Sequence, residues 1–156
     1  VQHFRLLINR GEKSLPITDE RMTRFWITIE EGVNFVLKGF ERMKGGEIFV
    51  PKIPSIRIID LAKAMAPDLD FNIIGRRPGE KLHEEMITKT DALNTIEFDD
   101  YYVILPSTSM WDIEKFRNES NSSVGEMCEF GFSYNSRSNK EFLTVNDLKK
   151  LVKNHI

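Results

Sequence analysis

From Ile73 to Glu85 the chain reads IIGRRPGEKLHEE, which places Arg76 and Arg77, a Pro78-Gly79 pair and Glu80-Lys81 directly after a short apolar run. Pro-Gly suits the two central positions of a type II turn, so the flanking side chains leave it in fixed directions. Arg77 on one side offers a planar fork that can take several phosphate oxygens at once. Glu80 on the other side is an acceptor able to take two sugar hydroxyls. A second arginine, Arg24, sits in MTRFW between Thr23 and the bulky Phe25 and Trp26. An arginine set in apolar sequence is expected to be partly buried and then needs an anionic partner. Two forks and a carboxylate can clamp a diphosphate and read a ribose. A plainer reading pairs Arg24 with Asp19 or Glu20 and leaves RPGEK as a solvated turn. The local sequence leaves both open.

Other chemistry fails on spacing. No G-x-G-x-x-G loop and no P-loop occurs. LHEEMI begins like the zinc motif H-E-x-x-H but ends on Ile87, and His3, His83 and His155 are scattered, so no metal is expected. Asp99 and Asp100, taken as adjacent strand positions, are expected to point to opposite faces. Tyr101, Tyr102 and Tyr134 have Leu105, Pro106 and Ser138 four residues on, so no Tyr-x-x-x-Lys pair exists. No Ser-His-Asp or Cys-His set follows from spacing. The chain carries no catalytic machinery of its own that the sequence can reveal.

The elements that must position the arginines alternate between helix and strand, which gives an α/β or α+β class. Val1, Phe4, Leu7 and Ile8 share a helical face that Gly11 ends. SLPIT is extended. Thr28 and Glu31 form a capping box that opens a helix with Ile29, Val33, Val36, Leu37 and Phe40 as its buried stripe. EIFVP reads as a strand. PSIRIIDLAKAMAPDL gives a helix with Ile58, Leu61, Ala62 and Met65 inward and Pro67 beyond its end. FNIIG and DYYVILP read as strands, the latter rich in aromatic and β-branched residues. From Pro106 to about Lys140, with Ser and Asn clusters at NESNSS and YNSRSN, the pattern is mostly loop. A last helix starts at Thr144, with Val145, Leu148, Leu151 and Val152 on one face.

The 156 residues are enough for one domain with a real core. A net charge of −2 gives no sign of a nucleic-acid or membrane-surface binder. The single cysteine, Cys128, cannot close an internal disulfide and fits a reducing compartment. No apolar run approaches the roughly 20 residues of a membrane helix. The first residues, VQHFRLLINR, read like the middle of a fold and suggest a piece of a longer chain.

Three long segments in order, LPITDERMTRFWIT, ERMKGGEIFVPKIPSIRIIDLAKAMAP and IIGRRPGEKLHEEMI, resemble the C-terminal half of bacterial UDP-N-acetylglucosamine 4,6-dehydratases of the inverting type. These are extended short-chain dehydrogenase/reductases of surface-glycan and pseudaminic-acid pathways. The resemblance is close over residues 1–106 and looser through GFSYNSRSN and FLTVNDLKKL. It implies a UDP-sugar-binding lobe at 1–106, with 107–156 as a tail ending in a helix. It also implies an NADP-binding Rossmann domain and an active-site Tyr and Lys upstream of Val1, a cytoplasmic location and a homo-oligomeric full-length parent.

By the same resemblance the substrate is UDP-N-acetylglucosamine, oxidised at C4, dehydrated across C5-C6 and reduced at C6 with inversion at C5. The fragment alone is then inactive. Arg24 and Arg77 fall on diphosphate-contacting positions and Glu80 on a ribose contact. Leu15, Ile17 and Thr18 lie where relatives line the base. Val1 and Phe4 lie on a segment that runs along the nucleotide, although Gln2 and His3 depart from the family's V-P-F-F. Arg76 receives no role. RPGEKLHE favours the inverting group over a capsule-pathway sister group whose turn tends to read R-H-G-E-K-L-Y-E. A stand-alone, non-catalytic UDP-sugar-binding module remains the alternative.

Overall fold

The computed structural model describes residues 1–108, 110–118 and 124–155. Their contacts divide them into two units, each built from separated stretches of chain. Residues 1–26, 54–84 and 136–156 form the first; residues 27–53 and 85–135 form the second. The stretch after 106 thus contributes to both.

In the first unit, helix α1 (Gln2–Asn9) ends as expected, with Gly11 at φ +75 just past its last turn. Strand β1 (Ser14–Ile17) pairs in parallel with β5 (Asp70–Ile73), and β2 (Thr23–Phe25) pairs antiparallel with β4 (Ser55–Arg57). Helix α3 (Ile58–Met65) turns Leu61 and Ala62 inward, and α5 (Val145–His155) packs on it with Leu148 fully buried. Thr144 and Asp147 cap α5 reciprocally: each backbone N–H donates to the other residue's side-chain oxygen. One apolar core joins Phe4, Leu15, Ile17, Ile56, Leu61 and Leu148. Each such side chain contributes roughly 1.5–3 kcal/mol on burial.

The second unit is organised by an antiparallel sheet in the order β3 (Ile48–Pro51), β8 (Tyr101–Ile104), β7 (Thr95–Glu97), β9 (Glu126–Met127). A separate short ladder pairs β6 (Glu85–Ile87) with β10 (Tyr134–Asn135). Asp99 and Asp100 are not strand positions but the exposed turn of the β7–β8 hairpin, closed by Phe98 N–H donating to the Tyr101 carbonyl. The region expected to be mostly loop also holds α4 (Ile113–Asn118), β9 and β10. Much of NESNSS lies outside the described residues.

Helix α2 (Ile29–Arg42) begins at the expected Thr28–Glu31 capping box, yet its apolar stripe is not buried. Ile29 is 89% and Phe40 67% exposed, and Val33, Val36 and Leu37 are also open. The helix lays a different face inward. Gly32, Phe35, Gly39 and Arg42 follow helical spacing and are the half-buried positions. Phe35 joins the cluster around Ile96, Phe98 and Tyr101, and the Arg42 guanidinium lies 4.8 Å from the Tyr101 ring centroid. The exposed stripe makes this chain on its own prone to self-association. Replacing Val36 with Lys and Phe40 with Glu should shift it towards monomer in gel filtration while leaving the circular dichroism unchanged.

Gly125 has the tightest surroundings of any glycine. A Cβ there would sit 2.5 Å from Ile96 Cγ2 and 2.6 Å from the Phe98 ring. Both neighbours are buried, so they cannot swing away. Gly125→Ala should therefore destabilise this unit by about 1–3 kcal/mol, read by urea denaturation, as overpacking of a filled core does.

Candidate nucleotide site

The expected turn is present. Glu80 N–H donates to the Arg77 carbonyl at 3.1 Å and Gly79 has φ +80, so Pro78 and Gly79 occupy the centre of a type II turn. The Glu80 carboxylate reaches back to accept the Arg77 N–H at 3.1 Å. The turn is thereby closed twice. Arg77 stands exposed at its start, and Glu80 is half-buried at its end.

Arg24 is partly buried, as its apolar setting requires, but its partners are neither Asp19 nor Glu20. Its Nη1 donates to the carbonyls of Thr23 and Leu82 at 2.6 and 3.2 Å, and Nη2 donates to the Lys81 carbonyl at 3.0 Å. Nε lies 3.3 Å from Glu84 Oε1. The guanidinium is thus fastened to the backbone that follows Glu80 directly. A backbone rung from Thr23 N–H to the Leu82 carbonyl adds to the same attachment. Strand β2 and the R-P-G-E turn, 53 positions apart between Arg24 and Arg77, are joined through this side chain and that rung.

Asp19 instead pairs with Arg21, which donates to it through Nε and Nη2 at 3.0 and 2.8 Å. Those bonds hold the Asp19 carboxyl well below the usual carboxylate range. Arg76 Nε lies 3.8 Å from the same carboxylate. Arg76 is the closer neighbour to Asp19, and Arg77 is left facing solvent.

Four expected contact residues are placed differently. Leu15 and Ile17 have no exposed surface and belong to the core of the first unit, so their side chains cannot line a base. Alternation along β1 is the reason: it turns Leu15 and Ile17 inward and leaves Pro16 and then Thr18 partly exposed. Phe4 is also a core residue at 8% exposure, and Val1 packs against the same cluster. Thr18 keeps accessible surface.

The sequence reading overlooked a buried polar relay behind β2. Glu84 N–H donates to Ser136 Oγ at 2.9 Å, Ser136 Oγ lies 2.7 Å from Thr23 Oγ1, and Thr23 Oγ1 lies 2.7 Å from His83 Nδ1. Thr23 and Ser136 are both buried. Burial, reinforced by the neighbouring Arg137, Arg24 and Arg21, lowers the His83 pKa. Among the described residues, no three His, Cys, Asp or Glu side chains come together as a metal site. No helix among them is long and apolar enough to cross a membrane.

Mixed helices and strands define an α/β protein in which Arg24 anchors a type II R-P-G-E turn. The chain belongs to the polysaccharide biosynthesis protein family, whose model matches residues 1–106. It is 51% identical over 156 residues to a UDP-N-acetylglucosamine 4,6-dehydratase (inverting) of Campylobacter jejuni, covering 99% of this chain and 46% of that protein. It is 32% identical over 151 residues to a UDP-glucose 4-epimerase of Rickettsia canadensis, covering 91% and 44%. The X-ray structure of Pen from Bacillus thuringiensis shares the fold, with TM-score 0.78 at 24% identity over 98% of this chain and 44% of that one. The chain thus spans under half the length of the curated relatives it matches.

Proposed function

We propose that this chain holds the UDP end of the substrate in an NADP-dependent UDP-N-acetylglucosamine 4,6-dehydratase that inverts C5 and serves a bacterial surface-glycan pathway of the pseudaminic-acid type. The observation that carries the reading is the R-P-G-E turn fastened to Arg24, in a chain 51% identical along nearly its whole length to a dehydratase of that name. Arg77 meets the diphosphate and Glu80 the ribose. Arg24 adds charge beside the phosphates while it holds the turn in place. Thr18, at the open end of β1, lies where the base would be lined.

NADP supplies the hydride acceptor and donor of this chemistry, but the residues of this chain do not fit it. Its positive-φ glycines stand after α1 (Gly11), before β3 (Gly45, Gly46), after β5 (Gly75, Gly79) and before β10 (Gly131), and none links a strand to a helix N-terminus as a dinucleotide loop does. This chain therefore binds and orients substrate. The remainder of a longer, cytoplasmic and homo-oligomeric parent brings the redox and acid-base groups and covers the open stripe of α2. The 32% identity to a UDP-glucose 4-epimerase supports a second reading, a sister dehydratase or epimerase acting on the same kind of substrate.

Titration calorimetry with UDP, UDP-N-acetylglucosamine and ADP tests the binding claim. Both uridine ligands should bind saturably and ADP much more weakly. Equal binding of UDP and ADP, or none of either, would remove it. Proton NMR of the product of the full-length protein then separates the 4-keto-6-deoxy sugar of a dehydratase from a 4-epimer.

A further inference from the structure

The face of the β2–β4 ladder opposite Arg24 carries a second concentration of positive charge. In the antiparallel register Thr23 lies across from Arg57, and Arg24 lies across from Ile56. Alternation puts Thr23 and Arg57 on one face and Arg24 on the other. Beneath the first pair lies a cavity of ≈ 320 Å³ lined by Arg21, Thr23, Arg57, Leu82, His83 and Arg137 together with Phe142. The lining holds three arginines and a histidine and no carboxylate.

The positive groups are set in place before any ligand arrives. Arg21 is gripped through Nε and Nη2 by Asp19, which fixes the direction of the guanidinium. The Arg57 guanidinium carbon lies 5.8 Å from the Phe142 ring centroid, within cation–π range. His83 Nδ1 is engaged by Thr23 Oγ1 at 2.7 Å, which leaves Nε2 as the ring nitrogen available to a ligand. A cavity of this size is at the small end of ligand pockets, which run about 300–1,000 Å³.

We infer that this cavity is a separate oxyanion site of the phosphate class, taking a phosphate ion or the phosphoryl group of a small metabolite between Arg57, Arg137, Arg21 and His83 Nε2. It is distinct from the R-P-G-E turn, because Arg24, which anchors that turn, projects from the other face of β2.

The test is made on the protein with its natural flanking sequence, by adding inorganic phosphate or glucose 1-phosphate while observing the His83 ring resonances. His83→Gln assigns those resonances, and sodium chloride at matched ionic strength is the control. Phosphate should shift them saturably, should do so equally with UDP at saturation, and should raise the melting temperature. Arg57→Gln and the exposed Arg137→Gln should each weaken the effect by roughly tenfold or more, the loss expected for a charge-assisted hydrogen bond. Arg77→Ala should leave it intact, so failure here and failure of UDP binding are told apart. Tighter binding of glucose 1-phosphate than of phosphate marks a metabolite as the source, and equal binding marks the free ion. A shift reproduced by chloride, one abolished by UDP, or one unchanged in both arginine variants overturns the site.

Discussion

Given UDP-N-acetylglucosamine and NADP, this chain by itself should yield no 4-keto-6-deoxy product above a heat-killed control, whether followed by NMR or by absorbance. The dehydratase reaction needs a group that accepts the C4 hydroxyl proton and others that move protons at C5 and C6. The chain's candidates are committed elsewhere. Tyr101, Tyr102 and Tyr134 are all buried. The Tyr134 hydroxyl donates to the Ile53 carbonyl at 2.9 Å and accepts the Ile53 N–H at 2.8 Å. Burial and the nearby Glu97 push the Tyr102 phenol further above its ordinary range, away from the activation a proton acceptor needs. The Cys128 thiol is pushed up to about 11, chiefly by burial, so it is no nucleophile near neutrality. His83 has Nδ1 tied to Thr23. Turnover by this chain would place catalysis on residues that the geometry keeps out of reach, and would sink the division of labour proposed above.

Punctuation and charge were the legible part of the sequence. The capping box at Thr28, the helix start at Thr144, the glycine stop at Gly11 and the Pro78-Gly79 turn are local rules satisfied by neighbours in sequence, and each stands where the residue types put it. What failed was the choice of inward face. The most apolar stripe of α2 is the natural candidate for burial, but the helix turns Phe35 and Arg42 towards Tyr101 and its neighbours instead. An apolar pattern shows that a face needs cover without showing which neighbour supplies it. At β1 the period of two was readable, yet Leu15 and Ile17 were assigned to a ligand by likeness to relatives rather than by alternation. The short strands β6, β7, β9 and β10 have two or three residues each, too few for any period to register. Nor can local sequence reveal the acceptors of Arg24. Two of them are the Lys81 and Leu82 carbonyls, almost 60 positions away, and a carbonyl leaves no signature in residue type.

Those acceptors set the contrast between Arg24 and Arg77 variants. Arg77→Ala in the full-length protein should weaken UDP binding by roughly 1.5–3 kcal/mol, about 10- to 150-fold, the range for hydrogen bonds to charged groups. The melting temperature should hold, because the Arg77 side chain is exposed and the turn is closed by backbone groups and Glu80. Arg77→Lys should recover only part, since a point charge replaces a planar fork. Glu80→Gln should cost less than Arg77→Ala, because an amide oxygen can still accept both the Arg77 N–H and a ribose hydroxyl. Arg24→Ala should behave differently and lose both affinity and stability. It strips donors from the Lys81 and Leu82 carbonyls, leaves Glu84 without its cation, and releases the loop that carries Arg77 and Glu80. Arg24→Lys should not restore it, since one ammonium cannot reach three carbonyls and a carboxylate from a single position. Titration calorimetry with UDP, run beside thermal melts of each variant, separates the two behaviours. If Arg77→Ala binds UDP as tightly as the parent, the diphosphate lies elsewhere. If Arg24→Ala loses affinity with an unchanged melt, Arg24 acts on the ligand alone and not through the turn.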